Sequence, residues 1–335
     1  MNILLIDVDS KIPNLALMKL STYHKTKGDN VRIQILNKNQ VQNPNIENNT
    51  RDTNINMYPD KIYGSIIFKK NKHAMDGYLF AYPNVEIVIG GSGYDLNSKL
   101  PDKIDRLKPD YDLYENCDSS YGYTSRGCNR QCYFCIVPQK EGKFKRYMHP
   151  SVFYDRKFDK IFFLDNNILW DKEWFREIIR FCLHYKLKPW FNQGLDIRLI
   201  DESDIKLLIK VKRIEMFEFA WDDIKLEKIV KHKIQMMKDC GLNTRQKVQI
   251  YIYVDSDNEF ESGLYRCNEL KKLNVNAFIM YNIDNPRTQR IVDLSRWTNK
   301  KMFFWKYTFD EYLRIHHSKN YRDKDQLDIE SAWKR

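Results

Sequence analysis

Short apolar runs bounded by polar turns alternate along this chain with stretches of helical spacing. Residues 2–8 form a compact apolar run ending in Asp7-Val-Asp9, and residues 12–24 follow with apolar positions at Leu15, Leu17, Met18 and Leu20. That spacing predicts a buried strand and then a helix. Residues 31–36, 61–68 and 85–89 read as further buried parallel strands, the last running into Gly90-Gly-Ser-Gly93. Such alternation argues for a small open α/β domain. The Asn-rich stretch 37–56 carries no strand or helix pattern and is expected to be a loop or lid.

Residues 101–114 read as a connecting segment, after which a second alternation begins. Its candidate strands are 121–125, 160–164, 188–192, 213–220, 247–254 and 275–281. Helical spacing is clearest in Trp174, Phe175, Ile178, Ile179, Cys182 and Tyr185, and recurs over 205–211, 224–237 and 259–273. The apolar piece 302–307 is expected to add a strand or to pack beneath the other elements, and the charged tail from His316 to be peripheral.

At 335 residues and 42% hydrophobic composition the chain is long enough for two domains with cores of their own. No apolar run reaches the roughly 20 residues of a membrane span, and Asp7, Asp9 and Lys11 are wrong for a signal peptide. A cytoplasmic protein without a membrane partner is expected. Seven cysteines, four of them (Cys117, Cys182, Cys240, Cys267) without pattern, suit a reducing compartment. The net charge of +11 is compatible with a nucleic acid or nucleotide as partner. A chain rich in Lys, Asn and Ile is equally what an AT-rich coding sequence yields. The densest basic run is 140–146, with Lys157 and Lys160 beyond it.

The other three cysteines stand at Cys128, Cys132 and Cys135, within Thr124-Ser-Arg-Gly-Cys-Asn-Arg-Gln-Cys-Tyr-Phe-Cys135. Three thiolates from one short loop are a soft donor set for an iron-sulfur cluster or zinc. Structural zinc normally takes four protein ligands, whereas a cubane cluster on three cysteines leaves one iron open. His149 is the one residue nearby that would complete a zinc site, and it lacks the paired spacing of a finger. A basic nucleic-acid-binding protein with a structural zinc loop is the reading from another class.

The motif resembles that of the radical S-adenosylmethionine (SAM) superfamily, in which the three cysteines are spaced in this way and an aromatic residue, here Phe134, precedes the last. The resemblance implies that Cys128, Cys132 and Cys135 hold a [4Fe-4S] cluster, that SAM binds its fourth iron, and that Phe134 lies against the adenine. It implies reductive cleavage of SAM to a 5′-deoxyadenosyl radical that abstracts hydrogen from a substrate. An oxygen-sensitive protein and an electron donor such as flavodoxin or ferredoxin go with it.

The fold so implied is α/β: an N-terminal Rossmann-like open parallel sheet (residues 1–118), then a partial (β/α)6 barrel of the radical SAM type (119–315) and a charged tail (316–335). The first third resembles the cobalamin-binding domain that precedes the barrel in one branch of the superfamily. That domain often has a histidine in Asp-x-His-x-x-Gly after its first strand. Here the stretch is Asp7-Val-Asp-Ser-Lys-Ile12, and His24 and Gly28 stand at the wrong spacing. His24 is therefore expected at the surface and the domain to be degenerate, with cobalamin bound, if at all, without a protein ligand to cobalt. Gly91 and Gly93 permit close backbone approach at a strand's carboxyl end, where open α/β sheets bind ligands.

In parallel barrels functional groups come from the carboxyl ends of strands. Asp165, Asn166 and Asn167 stand where the family often has Gly-Gly-Glu to receive the amino group of SAM. Gln193 and Arg198 follow the third strand, with Arg198 suited to a carboxylate or to pairing with Asp196. Glu218, Tyr253 and Tyr281 end the next three strands and complete the expected SAM contacts, while Asp222 and Asp257 are expected to start helices and Asp284 lies near the mouth. The transfer-RNA methylthiotransferases of the superfamily need three further cysteines before the motif. Only Cys117 precedes it, so sulfur insertion is disfavoured. A single-cluster enzyme on an unidentified substrate remains, with methylation if cobalamin binds.

Overall fold

The computed structural model describes residues 1–42, 58–212, 215–282 and 285–317. Most of the expected 37–56 loop, Asp284 and the tail from 318 lie outside the described residues. The chain divides into two compact units, residues 1–166 with 184–190, and residues 167–183 with the chain from 191 onward.

The first unit opens with β1 (Asn2–Asp7), α1 (Leu15–Lys25) and β2 (Asn30–Ile35). The helix starts where the pattern puts it because the Asn14 side chain accepts from the Ala16 and Leu17 backbone N–H groups. A short α2 (Lys38–Gln42) follows, correcting the expectation of no helix in this stretch. Next come β3 (Lys61–Ser65), a 3₁₀ turn (Lys69–Met75), α3 (Asp76–Ala81) and β4 (Glu86–Gly90). The four strands are parallel in the order β2-β1-β3-β4. Leu4, Ile6, Ile62, Ile66, Met75 and Tyr78 are among the buried residues that form the core against this sheet.

His24 is buried, which corrects the surface expectation. Its Nδ1 lies 2.7 Å from Asp29 Oδ2 and its Nε2 3.1 Å from the Tyr63 hydroxyl, so both ring nitrogens are satisfied away from water.

Beyond α4 (Asp102–Asp105) the same unit holds β5 (Ser120–Gly122), β6 (Ser125–Arg126), α5 (Val137–Glu141), β7 (Lys145–Arg146), β8 (Lys160–Phe163) and, apart from its last residue, β9 (Lys188–Phe191). Strands β5, β8 and β9 form a sheet in that order, while β6 and β7 make a small antiparallel ladder that the apolar pattern did not predict. Gly122 has a packing reason: a Cβ there would stand 2.5 Å from the Phe153 ring.

The second unit holds α6 (Lys172–His184) apart from its last residue, α7 (Glu202–Lys210), β10 (Phe217–Ala220), α8 (Glu227–Asp239), α9 (Thr244–Lys247), β11 (Val248–Tyr253), α10 (Asp257–Lys272) and β12 (Asn276–Met280). Strands β10, β11 and β12 are parallel in that order, and Leu195 bridges in parallel to Phe219 of β10. An Asp201–Asp204 capping box starts α7. Then come α11 (Gln289–Asn299), α12 (Lys301–Lys306) and α13 (Phe309–His317). Residues 302–307 are thus largely helical rather than a strand: Phe303 and Phe304 are buried while Met302 stays exposed, a one-sided burial that a helix turn produces. Within the described residues no helix is long and apolar enough to cross a membrane.

Candidate active site

The three cysteines sit on a loop that is closed at its base. Strands β6 and β7 pair Ser125 with Arg146 and Arg126 with Lys145, bringing the two ends together. Gly127 adopts φ +77°, and a Cβ there would stand 2.3 Å from the Lys143 carbonyl oxygen, so only glycine lets the strands approach so closely. The Cys128 N–H donates to the Gly142 carbonyl at 3.0 Å, and the Phe144 N–H to Asn129 Oδ1 at 3.0 Å.

Charge reinforces this neck. The Arg126 guanidinium reaches Glu141 at 3.2 Å and Asp105 at 3.1 Å, and its carbon lies 3.6 Å from the centre of the Tyr123 ring. Asp105 also accepts from Lys19 at 2.7 Å and from the Tyr147 hydroxyl at 2.5 Å. Burial pushes the Asp105 carboxyl up, but the charges of Lys19 and Arg126 outweigh it and hold the group below its ordinary range.

Inside the loop the Cys135 N–H donates to the Cys132 carbonyl at 3.0 Å, and the Arg130 N–H reaches the Cys128 sulfur at 3.4 Å. All three cysteines are partly buried thiols. Phe134 packs edge-on against Tyr133, itself 77% exposed. Among the described residues no three His, Cys, Asp or Glu side chains stand in a ready-made metal group. His149 is turned to Ser151, whose hydroxyl lies 2.7 Å from its Nδ1.

Asp165 fastens the segment that leads into the loop. Its carboxylate accepts from the backbone N–H and hydroxyl of both Thr124 and Ser125. Burial nevertheless raises its pKa. The neighbouring Asn166 keeps a buried side-chain nitrogen with no hydrogen-bond partner among the described residues.

The remaining expected contacts belong to the second unit. Asn167 Nδ2 lies 3.5 Å from Asp196 Oδ2, and Arg198 grips Asp196 bidentately at 2.7 and 2.8 Å, the loop-fixing alternative of the sequence reading. Gln193 is exposed beside Asn192, Glu218 is buried, and the Arg287 guanidinium lies 4.1 Å from the Tyr281 ring centre. Asp222 starts no helix, which corrects the expectation. It accepts from the Tyr253 N–H at 3.1 Å, and the 3₁₀ turn that follows is capped by Asp223. Asp257 lies in the first turn of α10 as expected and accepts from Thr288. Burial pushes the Asp222 carboxyl up to about 6 against the opposing charges of Arg266 and Arg198. Arg266 escaped the sequence reading because its place is inside a helix; it donates to the Trp221 carbonyl at 2.6 Å.

At the carboxyl ends of the first sheet Asp7 accepts from the Ser10 N–H at 3.1 Å and the Tyr114 hydroxyl at 2.7 Å. The close approach at Gly91 and Gly93 is made by the chain itself: a Cβ on Gly91 would stand 2.2 Å from the Ile66 carbonyl oxygen, and one on Gly93 2.6 Å from Phe68 backbone.

No family model matches the chain. A tRNA dimethylallyltransferase of Campylobacter jejuni subsp. doylei is 28% identical over 133 residues, which are 38% of this chain and 46% of that protein. The match thus spans less than half of that relative. A solved structure of the radical S-adenosylmethionine methyltransferase TsrM from Kitasatospora setae, with cobalamin and a [4Fe-4S] cluster bound, is similar with a TM-score of 0.57. The alignment covers 84% of this chain and 74% of that one. The two chains share a fold. At 11% identity the likeness is one of architecture, an α/β arrangement of parallel sheets.

Proposed function

We propose that this protein is a radical SAM enzyme whose strands β5, β8, β9, β10, β11 and β12 succeed one another as a partial barrel. The reading is carried by one observation: a Cys-x3-Cys-x2-Cys loop with a tied neck, in a chain that shares its fold with a radical SAM methyltransferase. The donor set fits a [4Fe-4S] cluster, because it offers three thiols from one short loop, the soft set that such a cluster takes. Cys128, Cys132 and Cys135 would hold it, and when bound it supplies the electron that cleaves SAM to methionine and a deoxyadenosyl group.

The chain's own part is positioning. Arg126 and Glu141 hold the loop's ends together, Asp165 fastens Thr124 and Ser125, and the Arg130 N–H is directed at a cysteine sulfur. Phe134, in the same loop, would lie against the adenine. Asn167, Gln193, Glu218, Tyr253 and Tyr281 remain the proposed SAM contacts of the second unit, while Arg198 fixes its own loop through Asp196. A nucleic acid or nucleotide as substrate accords with the net charge of +11 and with transfer RNA in the name of the Campylobacter relative.

Cobalamin-dependent methylation is the second reading, favoured by the cobalamin named with TsrM. Against it, the first strand is followed by no histidine at the expected position, and the glycine turn is filled by residues 66–68. Anaerobic reconstitution with iron and sulfide, then reduction by dithionite with SAM, tests the main reading. The expected product is 5′-deoxyadenosine, lost in alanine variants of each cysteine. Stoichiometric zinc and no SAM binding would overturn the reading in favour of a structural metal loop.

A further inference from the structure

We infer that the carboxyl end of the first sheet is a docking surface for single-stranded nucleic acid. Lys11 follows β1, Lys70 and Lys72 follow β3, Lys99 follows β4, and Lys140 projects from α5 of the cysteine loop. The loops that carry them interlock. Asp9 accepts from the Ile67 and Phe68 N–H groups and from Asn71, the Gly93 N–H donates to the Ile66 carbonyl at 3.0 Å, and Lys140 is bonded to the Ser92 hydroxyl. The cations therefore stand on one continuous rim that reaches the cysteine loop.

Two features mark this rim. In the same unit Lys25, Lys61, Lys108 and Lys157 are paired with Asp110, Glu86, Asp155 and Asp112, whereas the exposed Lys27, Lys103, Lys143 and Lys145, like the lysines of the rim, form no ion pair among the described residues. Lys11, Lys70, Lys72 and Lys99 are exposed and form no ion pair among the described residues. Aromatic rings are also interleaved with the charges: the Phe68 ring centre lies 5.7 Å from Lys11 Nζ and 6.0 Å from Lys70 Nζ, and the Tyr94 ring centre 4.8 Å from Lys72 Nζ. Unneutralised lysines beside partly exposed rings are the combination that binds a strand through phosphates and unpaired bases. The carboxyl ends of the strands are where open α/β sheets take ligands. The inference does not need the cluster, so it stands or falls apart from the radical chemistry.

The test is fluorescence anisotropy of the full-length protein with a labelled 20-nucleotide RNA of mixed sequence, across potassium chloride concentrations. Binding is expected to weaken with salt. The triple variant Lys11→Glu, Lys70→Glu, Lys72→Glu should lower affinity at least tenfold and flatten the log–log salt slope by about 2, roughly 0.7 for each phosphate no longer neutralised. Tyr94→Ala should weaken binding and leave the slope unchanged. Unchanged circular dichroism of each variant excludes misfolding. The inference is overturned if the triple variant binds like the parent, if reversal at Lys225, Lys228 and Lys238 weakens binding as much, or if polyglutamate or duplex DNA binds as well as the RNA.

Discussion

Arg126 and Glu141 face each other at 3.2 Å across the neck of the cysteine loop, one just before its first cysteine and the other six residues after its last. A loop closed in this way loses less conformational freedom when its sulfurs converge on a metal than an open chain would. The same guanidinium holds Asp105, so the neck is tied to α1 through Lys19.

Replacing Arg126 should therefore affect both stability and metal retention. Removing one partner of a largely buried ion pair costs about 3 kcal/mol, and Arg126→Gln leaves Glu141 without its cation and Asp105 with Lys19 alone. Lower thermal stability and less iron per chain after reconstitution are expected. Arg126→Lys should recover part of both, since it restores the charge without the two-pronged geometry. Full iron content in Arg126→Gln would show that the neck does not organise the loop.

Asp165→Ala tests the other fastening. The carboxylate faces only donors, two N–H groups and two hydroxyls, all of which reach Oδ1, and alanine leaves all four without their acceptor. Leaving buried donors unsatisfied costs about 1–3 kcal/mol each, so a loss of at least 2 kcal/mol in urea unfolding is expected. Were Asp165 instead held open for a ligand, the substitution would be nearly neutral without SAM and would weaken SAM binding.

The parallel strands were legible as short apolar or alternating runs, although β2 and β4, expected to be buried, keep most of their side chains at least partly exposed, and the cysteine loop was legible because its spacing is rigid. What escaped was pairing between distant residues. Asp105 and Arg126 are 21 residues apart, and His24 meets Tyr63 across 39, so neither burial nor partnership is visible in a local window. Asp222 looked like a helix start because acidic residues commonly cap helices after strands. The turn of the chain gave that task to Asp223 and left Asp222 against the Tyr253 backbone. Gly91 and Gly93 were correctly read as points of close approach, but the approaching backbone is the protein's own.

Asp222 should make stability depend on pH. Its carboxyl is raised from 3.8 to about 6, mainly by burial, so the folded state binds the proton more tightly than the unfolded one. Stability is then fullest below pH 4 as far as this group is concerned, falls as pH rises from 4 to 6, and stays reduced above. Each tenfold difference in proton affinity is worth about 1.4 kcal/mol. Asp222→Asn should therefore gain about 3 kcal/mol relative to the parent between pH 4 and pH 7.5, read from urea midpoints. A difference that does not change with pH would mean that Arg266 and Arg198 hold the carboxyl ionised throughout.

Cys132→Ala should abolish cluster assembly and leave the protein folded, because the loop's neck is built from Arg126, Gly127, Glu141 and the β6–β7 ladder rather than from the cysteine side chains. The contrast is Cys267, fully buried in α10, whose thiol is pushed up to about 12 by burial and lies 3.7 Å from the Thr298 hydroxyl. Cys267→Ala removes a packed sulfur and should lower stability by about 1–2 kcal/mol without changing iron content. Iron and sulfide analysis after anaerobic reconstitution, paired with thermal denaturation, separates the two outcomes. Iron retained by Cys132→Ala, or lost from Cys267→Ala at unchanged stability, would reassign the ligands.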